Sequence, residues 1–265
     1  MIRKHMNMML ILSVVMAVGI FCGISYKSFA KNKNTKTYFN IVLVGAAGSG
    51  KGTQGDLLKQ QLNLYQISAG NVLRSHRAQP NGKYTKVINQ YIDKGQLVPS
   101  KITHALMEED LEKNVFCEDC KYDGIIFDGY PREMAQVKLL NKFLKKKKNK
   151  INAVVYIDVP MEALVDRLHG RFACAKCGEL YHKTTKPTKV EGVCDKCGGH
   201  RFLVRDDDKN PDAIRQRFKI FENSTSIVLK EYNKKGIVIK VDGAKKPADV
   251  YAEILEKLKP FQLKK

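Results

Sequence analysis

The sequence predicts an α/β protein whose parallel sheet is covered by helices on both faces, and three observations support this. Beyond residue 37, short apolar runs alternate with amphipathic stretches of helical period. Five such runs occur, at Phe39–Val44, Tyr65–Ile67, Gly124–Phe127, Ala153–Val159 and Gly236–Val241, the second the weakest. A glycine-rich loop follows the first run and opens directly into a helical stretch. With 43% hydrophobic and 28% charged residues in 265, the composition suits a packed core rather than a disordered chain.

The first element in chain order is a leader. Met8 to Ile24 is almost unbroken apolar sequence, preceded by Arg3 and Lys4 and followed by Lys27, Lys31, Lys33 and Lys36; no acid occurs before Asp56. Its seventeen residues sit at the lower limit for a membrane span. They also suit the hydrophobic region of a signal peptide, with Ser28-Phe29-Ala30 as a small-x-small cleavage site. Three readings stay open: a retained anchor that holds the chain on a membrane through residues 8–24, a cleaved export signal, or organelle targeting. Residues 1–37 are therefore set apart as leader and Lys/Asn-rich linker. The lysines after the run favour a cytoplasmic or matrix-like side for the rest of the chain, and free thiols favour a reducing space.

Helical stretches come at 51–62, 99–113, 131–144, 160–169, 211–233 and 247–258. Pro160, Pro211 and Pro247 sit where a first helical turn tolerates proline. Two stretches, 68–98 and 171–205, fall outside the alternation. In sheets of this kind ligands bind at the carboxyl ends of the strands.

The loop after the first run reads Gly45-Ala46-Ala47-Gly48-Ser49-Gly50-Lys51-Gly52-Thr53. Glycines let backbone N–H groups converge on a phosphate, the helix N-terminus adds positive potential, and Lys51 reaches the outer phosphates. The general motif expects Ser or Thr directly after the lysine; here Gly52 intervenes and the hydroxyl comes at Thr53. Strand, loop, lysine and helix nevertheless arrive in the order that phosphate binding requires.

The charge balance agrees. Lysine and arginine total 47 against 27 acids, a formal net charge of +20, which suits an anionic partner. Lysine crowds into runs such as Lys145 to Lys148 and Lys234–Lys235, read as solvated faces. Only ten arginines occur against 37 lysines, so their positions are informative, because the guanidinium fork grips phosphate oxygens bidentately. Nucleic acid is not the expected partner: Trp is absent and no stretch interleaves aromatic with basic residues.

Seven cysteines include Cys174, Cys177, Cys194 and Cys197, spaced C-x2-C-x16-C-x2-C as in a structural zinc site of four thiolates. Gly178 and Gly198–Gly199 permit tight turns after each pair. A short insert has little core of its own, so a metal cross-link supplies what burial cannot. The rival reading is two disulfides. Cys117-Glu118-Asp119-Cys120 is read as an incidental loop pair.

Several motifs in register resemble the nucleoside monophosphate kinases, adenylate kinase above all. They are the loop GxxGxGKGT, Ile67-Ser68-Ala69-Gly70-Asn71-Val72-Leu73-Arg74, Gln96-Leu97-Val98-Pro99 and Asp128-Gly129-Tyr130-Pro131-Arg132. The resemblance covers about Phe39 to Leu258. It implies a P-loop kinase core with a five-stranded parallel sheet (38–67, 99–170 and 209–265), a monophosphate-binding insert (68–98) and a zinc-binding lid (171–208).

The implied activity is reversible Mg2+-dependent phosphoryl transfer from ATP to AMP, giving two ADP, by a monomer. Such transfer needs alignment, charge neutralisation and exclusion of water rather than a general base. By resemblance, Arg74 and Arg132 clamp the monophosphate, and Arg167 and Arg171 grip the donor phosphates. Arg205 and Arg217 form a lid-side pair, with Arg215 as alternative to Arg217 because one residue is inserted at Lys209 or Asn210. Asp128 holds the water shell of Mg2+ between the phosphates. ATP is expected at Gly48 to Thr53, with Leu180, Tyr181 and Lys245 bordering its adenine. AMP is expected against Ala69, Gln96, Leu97, Val98, Gly129, Tyr130 and Pro131. Asp207 and Asp208 resemble acids that pair with core groups as the lid closes. Base choice draws opposite signals: Ala69 resembles the UMP/CMP kinases, whereas Gln136 occupies the position whose amide reads adenine. The positioned amide weighs more than a small apolar change, so AMP is the expected acceptor.

Overall fold

The structure is a computed structural model that describes residues 36–204, 208 and 211–262. The leader up to Thr35, together with Arg205, Asp206 and Asp207, lies outside the described residues. Among the described residues no helix is long and apolar enough to cross a membrane.

Five strands form one parallel sheet: β1 (Phe39–Val44), β2 (Leu64–Ser68), β3 (Gly124–Asp128), β4 (Ala153–Asp158) and β8 (Val238–Asp242), in the spatial order β2-β3-β1-β4-β8. β1 is buried along its whole length, as expected of a central strand covered on both faces. Its side chains alternate between two cores. Val42 and Val44 pack with Ile125 and Phe127 of β3, whereas Phe39, Ile41 and Leu43 pack with Ile126, Val155 and Ile157.

Helices cover each face. α4 (Ser100–Asn114), α5 (Met134–Lys146) and α8 (Ser226–Lys234) bury Leu106, Leu140 and Val228 on the first face. α1 (Lys51–Leu62), α6 (Met161–His169), α7 (Pro211–Ile220) and α9 (Pro247–Gln262) bury Leu58, Leu164, Phe218 and Ile254 on the second. Between β2 and α4, the stretch outside the alternation holds two short helices, α2 (Ala69–Arg77) and α3 (Thr85–Ile92). After α6 comes a small antiparallel sheet of β5 (Arg171–Cys174), β6 (Leu180–His182) and β7 (Phe202–Leu203).

The differences from the sequence pattern are local. Pro211 and Pro247 are first helical residues, but Pro160 stands one residue before α6, with extended ψ of 146°. The stretch 211–233 is not one α-helix: a π-helical segment at Phe221–Thr225 separates α7 from α8. Its wider turn cannot be read from a hydrophobic period, because Phe221 packs against both cores. The Cys117–Cys120 pair, read as incidental, is joined in a disulfide.

The strand registers bring all five carboxyl ends to one edge. Leu43 and Ser68 both lie opposite Asp128, Val44 lies opposite Tyr156, and Asp158 lies opposite Asp242. At the other end, Gly124 permits the closest approach: a Cβ there would lie 1.8 Å from the Phe39 carbonyl oxygen. Gly124→Ala is therefore expected to lose about 3 kcal/mol or more, read as a lowered urea midpoint; unchanged unfolding would contradict this register.

Candidate active site

A cavity of about 760 Å³ opens at the carboxyl edge of the sheet, between the core, the α2–α3 stretch and the small antiparallel sheet. Most of the nucleotide-site candidates from the sequence line it: Gly48 to Thr53, Ala69, Arg74, Gln96 to Val98, Asp128 to Arg132, Gln136, Arg167, Arg171, Leu180, Tyr181, Arg217 and Lys245. Arg205 lies outside the described residues.

The glycine loop leaves β1 and turns into α1 through Gly48 and Gly50, whose φ angles of 85° and 93° are left-handed. Gly50 caps α1 without a side-chain hydrogen bond, and the first turn has no acid. The free N–H groups of that turn and its dipole therefore face the cavity as an anion site. Lys51 Nζ donates to the carbonyls of Gly45 and Ala46, both at 2.8 Å, and lies 3.4 Å from Ser49 Oγ.

Burial pushes the Lys51 ammonium down to about 7, and Arg132, Arg217 and Arg171 push the same way while Asp128 opposes them. Four cations drawn from four separate segments thus share one field. Asp128, buried at the end of β3, is the acid set against them. A Cβ on Gly52 would lie 4.0 Å from its Oδ2, an ordinary contact distance, which puts the carboxylate beside the first turn of α1.

Each arginine is held differently. Arg132 Nε donates to the Gly129 carbonyl at 2.8 Å, and its own carbonyl accepts from Thr225 Oγ1 at 3.2 Å. The Arg132 N–H donates to Gln136 Oε1 at 2.8 Å, which leaves Gln136 only its Nε2 as a donor. Arg74 Nη2 donates to Asn71 Oδ1 at 2.6 Å, one turn back on α2. Arg167 Nη2 donates to the Gly243 carbonyl at 2.9 Å.

Arg171 and Arg217 meet on one carboxylate. Arg171 donates through Nε and Nη2 to Asp208, both at 2.7 Å, and Arg217 Nη1 donates to Asp208 Oδ1 at 2.7 Å. The Asp208 side chain is fully buried and both guanidiniums are nearly so. One buried carboxylate thus accepts from both guanidiniums and offsets the repulsion between them. The structure also separates two residues the sequence left as alternatives. Arg217 lines the cavity, whereas Arg215 is 67% exposed, pairs with Asp212 and is not among the lining residues.

The four cysteines come together at the far side of the cavity. All four Sγ atoms lie within 4.8 Å of one another, with Cys174–Cys197 and Cys177–Cys194 each at 3.6 Å, and none of the four is in a disulfide. Gly178 and Gly198 close their turns at φ 72° and 66°. Burial alone raises the Cys194 thiol. Hydrogen bonds from Tyr181 and from the Lys196 and Cys197 N–H groups nevertheless bring it down to about 6. The Tyr181 ring is packed between Phe172 and Phe202 at centroid distances of 5.6 Å, and its hydroxyl accepts from the Asp195 N–H at 2.8 Å.

Sequence reasoning missed three groups at this site. Thr225 and the Gly243 carbonyl reach Arg132 and Arg167 across large sequence distances, one from a π-helical turn and one through backbone alone. The Asn71 contact to Arg74 was accessible, since residues three apart on a helix are neighbours.

The family model described as Adenylate kinase matches residues 43–237. The chain is 39% identical over 218 residues to an adenylate kinase of Caldanaerobacter subterraneus subsp. tengcongensis, covering 82% of this chain and 95% of that protein. It is 39% identical to one of Limosilactobacillus fermentum, covering 83% and 98%, and 40% identical to one of Methanothrix thermoacetophila, covering 84% and 100%. A glycine loop that opens a helix at the cavity, clustered guanidiniums and a match across nearly the whole folded region agree: the chain belongs to the adenylate kinase family.

Proposed function

We propose that the chain catalyses Mg·ATP + AMP ⇌ 2 ADP. An oxygen of the AMP phosphate attacks the γ-phosphorus of ATP as the bond from that phosphorus to the β-phosphate oxygen breaks and ADP departs. The observation that supports this best is the single field shared by Lys51, Arg132, Arg171 and Arg217 at an uncapped helix N-terminus. The nucleophile is already an anion, so the residues need to align two anions and neutralise their repulsion. Lys51 and the first turn of α1 hold the donor phosphates, with Arg167, Arg171 and Arg217 around them. Arg74 and Arg132 hold the acceptor phosphate. Arg205 belongs with Arg217 by resemblance, and Leu180, Tyr181 and Lys245 border the donor base.

Two metals fit the residues present. Mg2+ bound with nucleotide would neutralise phosphate charge, and the buried Asp128 carboxylate beside α1 is the acid that would hold its water shell. Zn2+ suits the cysteine quartet, since tetrahedral coordination at about 2.3 Å spaces sulfurs about 3.8 Å apart, close to the 3.6 Å found for two pairs. Four thiolates close the shell, so the role of this metal is structural. The retained-anchor reading of residues 8–24 adds a membrane to the partners.

AMP is the favoured acceptor. Gln136 keeps its Nε2 donor, which suits the ring nitrogen acceptor of adenine or cytosine and not the N–H of uracil or guanine, and the resemblance favours adenine between the two. In an ADP-formation assay with ATP, AMP is expected to exceed GMP, CMP and UMP, and Lys51→Met to lose at least about 100-fold in turnover while keeping its fold. Preference for CMP or UMP would overturn the base assignment; full activity in Lys51→Met would overturn the role of the loop.

The depressed Lys51 predicts proton uptake. Below pH 7 the ammonium is already charged, so ATP affinity is insensitive to this group. Above pH 7 the free protein loses the proton while bound phosphates restore it, so affinity falls as pH rises. Calorimetry in buffers of different ionisation enthalpy should show this uptake above pH 7 and its loss in Lys51→Met. Equal uptake in both proteins would remove Lys51 as the source.

Metal analysis should find one zinc per chain. Its removal by a chelator should lower the melting temperature and expose four reactive thiols. A protein purified with four free thiols and no zinc would refute the metal reading.

A further inference from the structure

All five strands begin at the end of the sheet opposite the cavity, and the segments that feed them are rich in lysine. Lys121 precedes β3, Lys145 to Lys148 and Lys150 precede β4, and Lys234 and Lys235 precede β8. The chain enters β1 at the same place. The Tyr38 N–H donates to Asn149 Oδ1 at 2.7 Å, and Asn40 Nδ2 donates to the Lys150 carbonyl at 2.8 Å.

Lys121, Lys145, Lys146, Lys148 and Lys150 line this end, and none has a carboxylate partner among the described residues. Lys147 differs, pairing with Glu112 and lying over the Phe116 and Phe143 rings. Lys234 and Lys235 share Glu231 at 3.9 Å. Asp110, which accepts from the Tyr65 hydroxyl, Glu118, Asp119 and Asp123 also stand at this end, and the eight lysines still outnumber the acids named. The dipole of α5 accounts for Lys145 and Lys146 in its last turn. It does not account for Lys150, or for Lys148, whose φ of 55° would suit glycine or asparagine better.

We infer that this lysine-lined end is a docking surface for an anionic phospholipid bilayer, with the cavity on the side turned away. The inference extends the anchor reading of residues 8–24. Twelve residues, Ser25 to Lys36, separate the apolar run from Thr37, a reach of at most about 40 Å. Each lysine near an anionic leaflet strengthens binding by about fivefold.

The test uses the full chain with vesicles of phosphatidylcholine alone or mixed with phosphatidylglycerol, followed by flotation and acetylation of exposed amines. With phosphatidylglycerol, Lys145, Lys146, Lys148 and Lys150 should label at least about fivefold less than the exposed Lys183 and Lys189 near the antiparallel sheet. That protection should vanish at high salt and on phosphatidylcholine. A variant with all four changed to Gln should lose the part of its flotation that depends on phosphatidylglycerol. Flotation on phosphatidylcholine reports the apolar run separately, so failure of the anchor does not decide the surface. Equal labelling of the two groups on phosphatidylglycerol overturns the inference, as does protection by added RNA but not by lipid.

Discussion

The site depends on the parallel pairing of β1 with β3 on one side and β4 on the other. Parallel registers send every strand's carboxyl end to one edge, where Val44, Ser68, Asp128, Asp158 and Asp242 end side by side. The loops that leave those strands are then neighbours, however far apart they are in the chain. Burial of β1 on both faces enforces the arrangement, because slipping the register by one residue would exchange the side chains of the two cores.

On that edge the difficulty is repulsion. Arg132, Arg171 and Arg217 lie close enough to lower the Lys51 ammonium, and burial lowers it further. Two acids make the cluster tolerable. Asp128 draws on Lys51, and Asp208 holds Arg171 and Arg217 on one buried carboxylate. Backbone carbonyls hold the other guanidiniums, at Gly129 for Arg132 and at Gly243 for Arg167. The result is a set of cationic groups held in place by the fold itself, the arrangement in which electrostatic stabilisation of an anion is most effective.

The antiparallel sheet is held by different means. Its apolar cluster is small: Cys174, Tyr181 and Cys194 with Phe172, Cys177, Cys197 and Phe202 around them. The cysteines are therefore both its core and its candidate cross-link. Tyr181 serves twice, packing between two phenylalanine rings and hydrogen-bonding to Cys194 Sγ at 3.3 Å, while it also lines the cavity.

Much of this was legible in the sequence, where the feature is local. Apolar runs alternating with helical stretches determine a covered parallel sheet. The glycine loop followed by Lys51 points to a phosphate site, and the paired C-x2-C spacing determines a thiol cluster, because each depends on residues a few positions apart. The tertiary structure decided what depends on distant partners. It put Arg217 on the cavity and Arg215 at the surface, placed Asp208 between two arginines, broke 211–233 with a π-helical turn that brings Thr225 to Arg132, and engaged the Gln136 carbonyl with a backbone N–H. Periodicity says which face of a helix is apolar. Only packing says which polar side chain, on which turn, finds a partner across the fold.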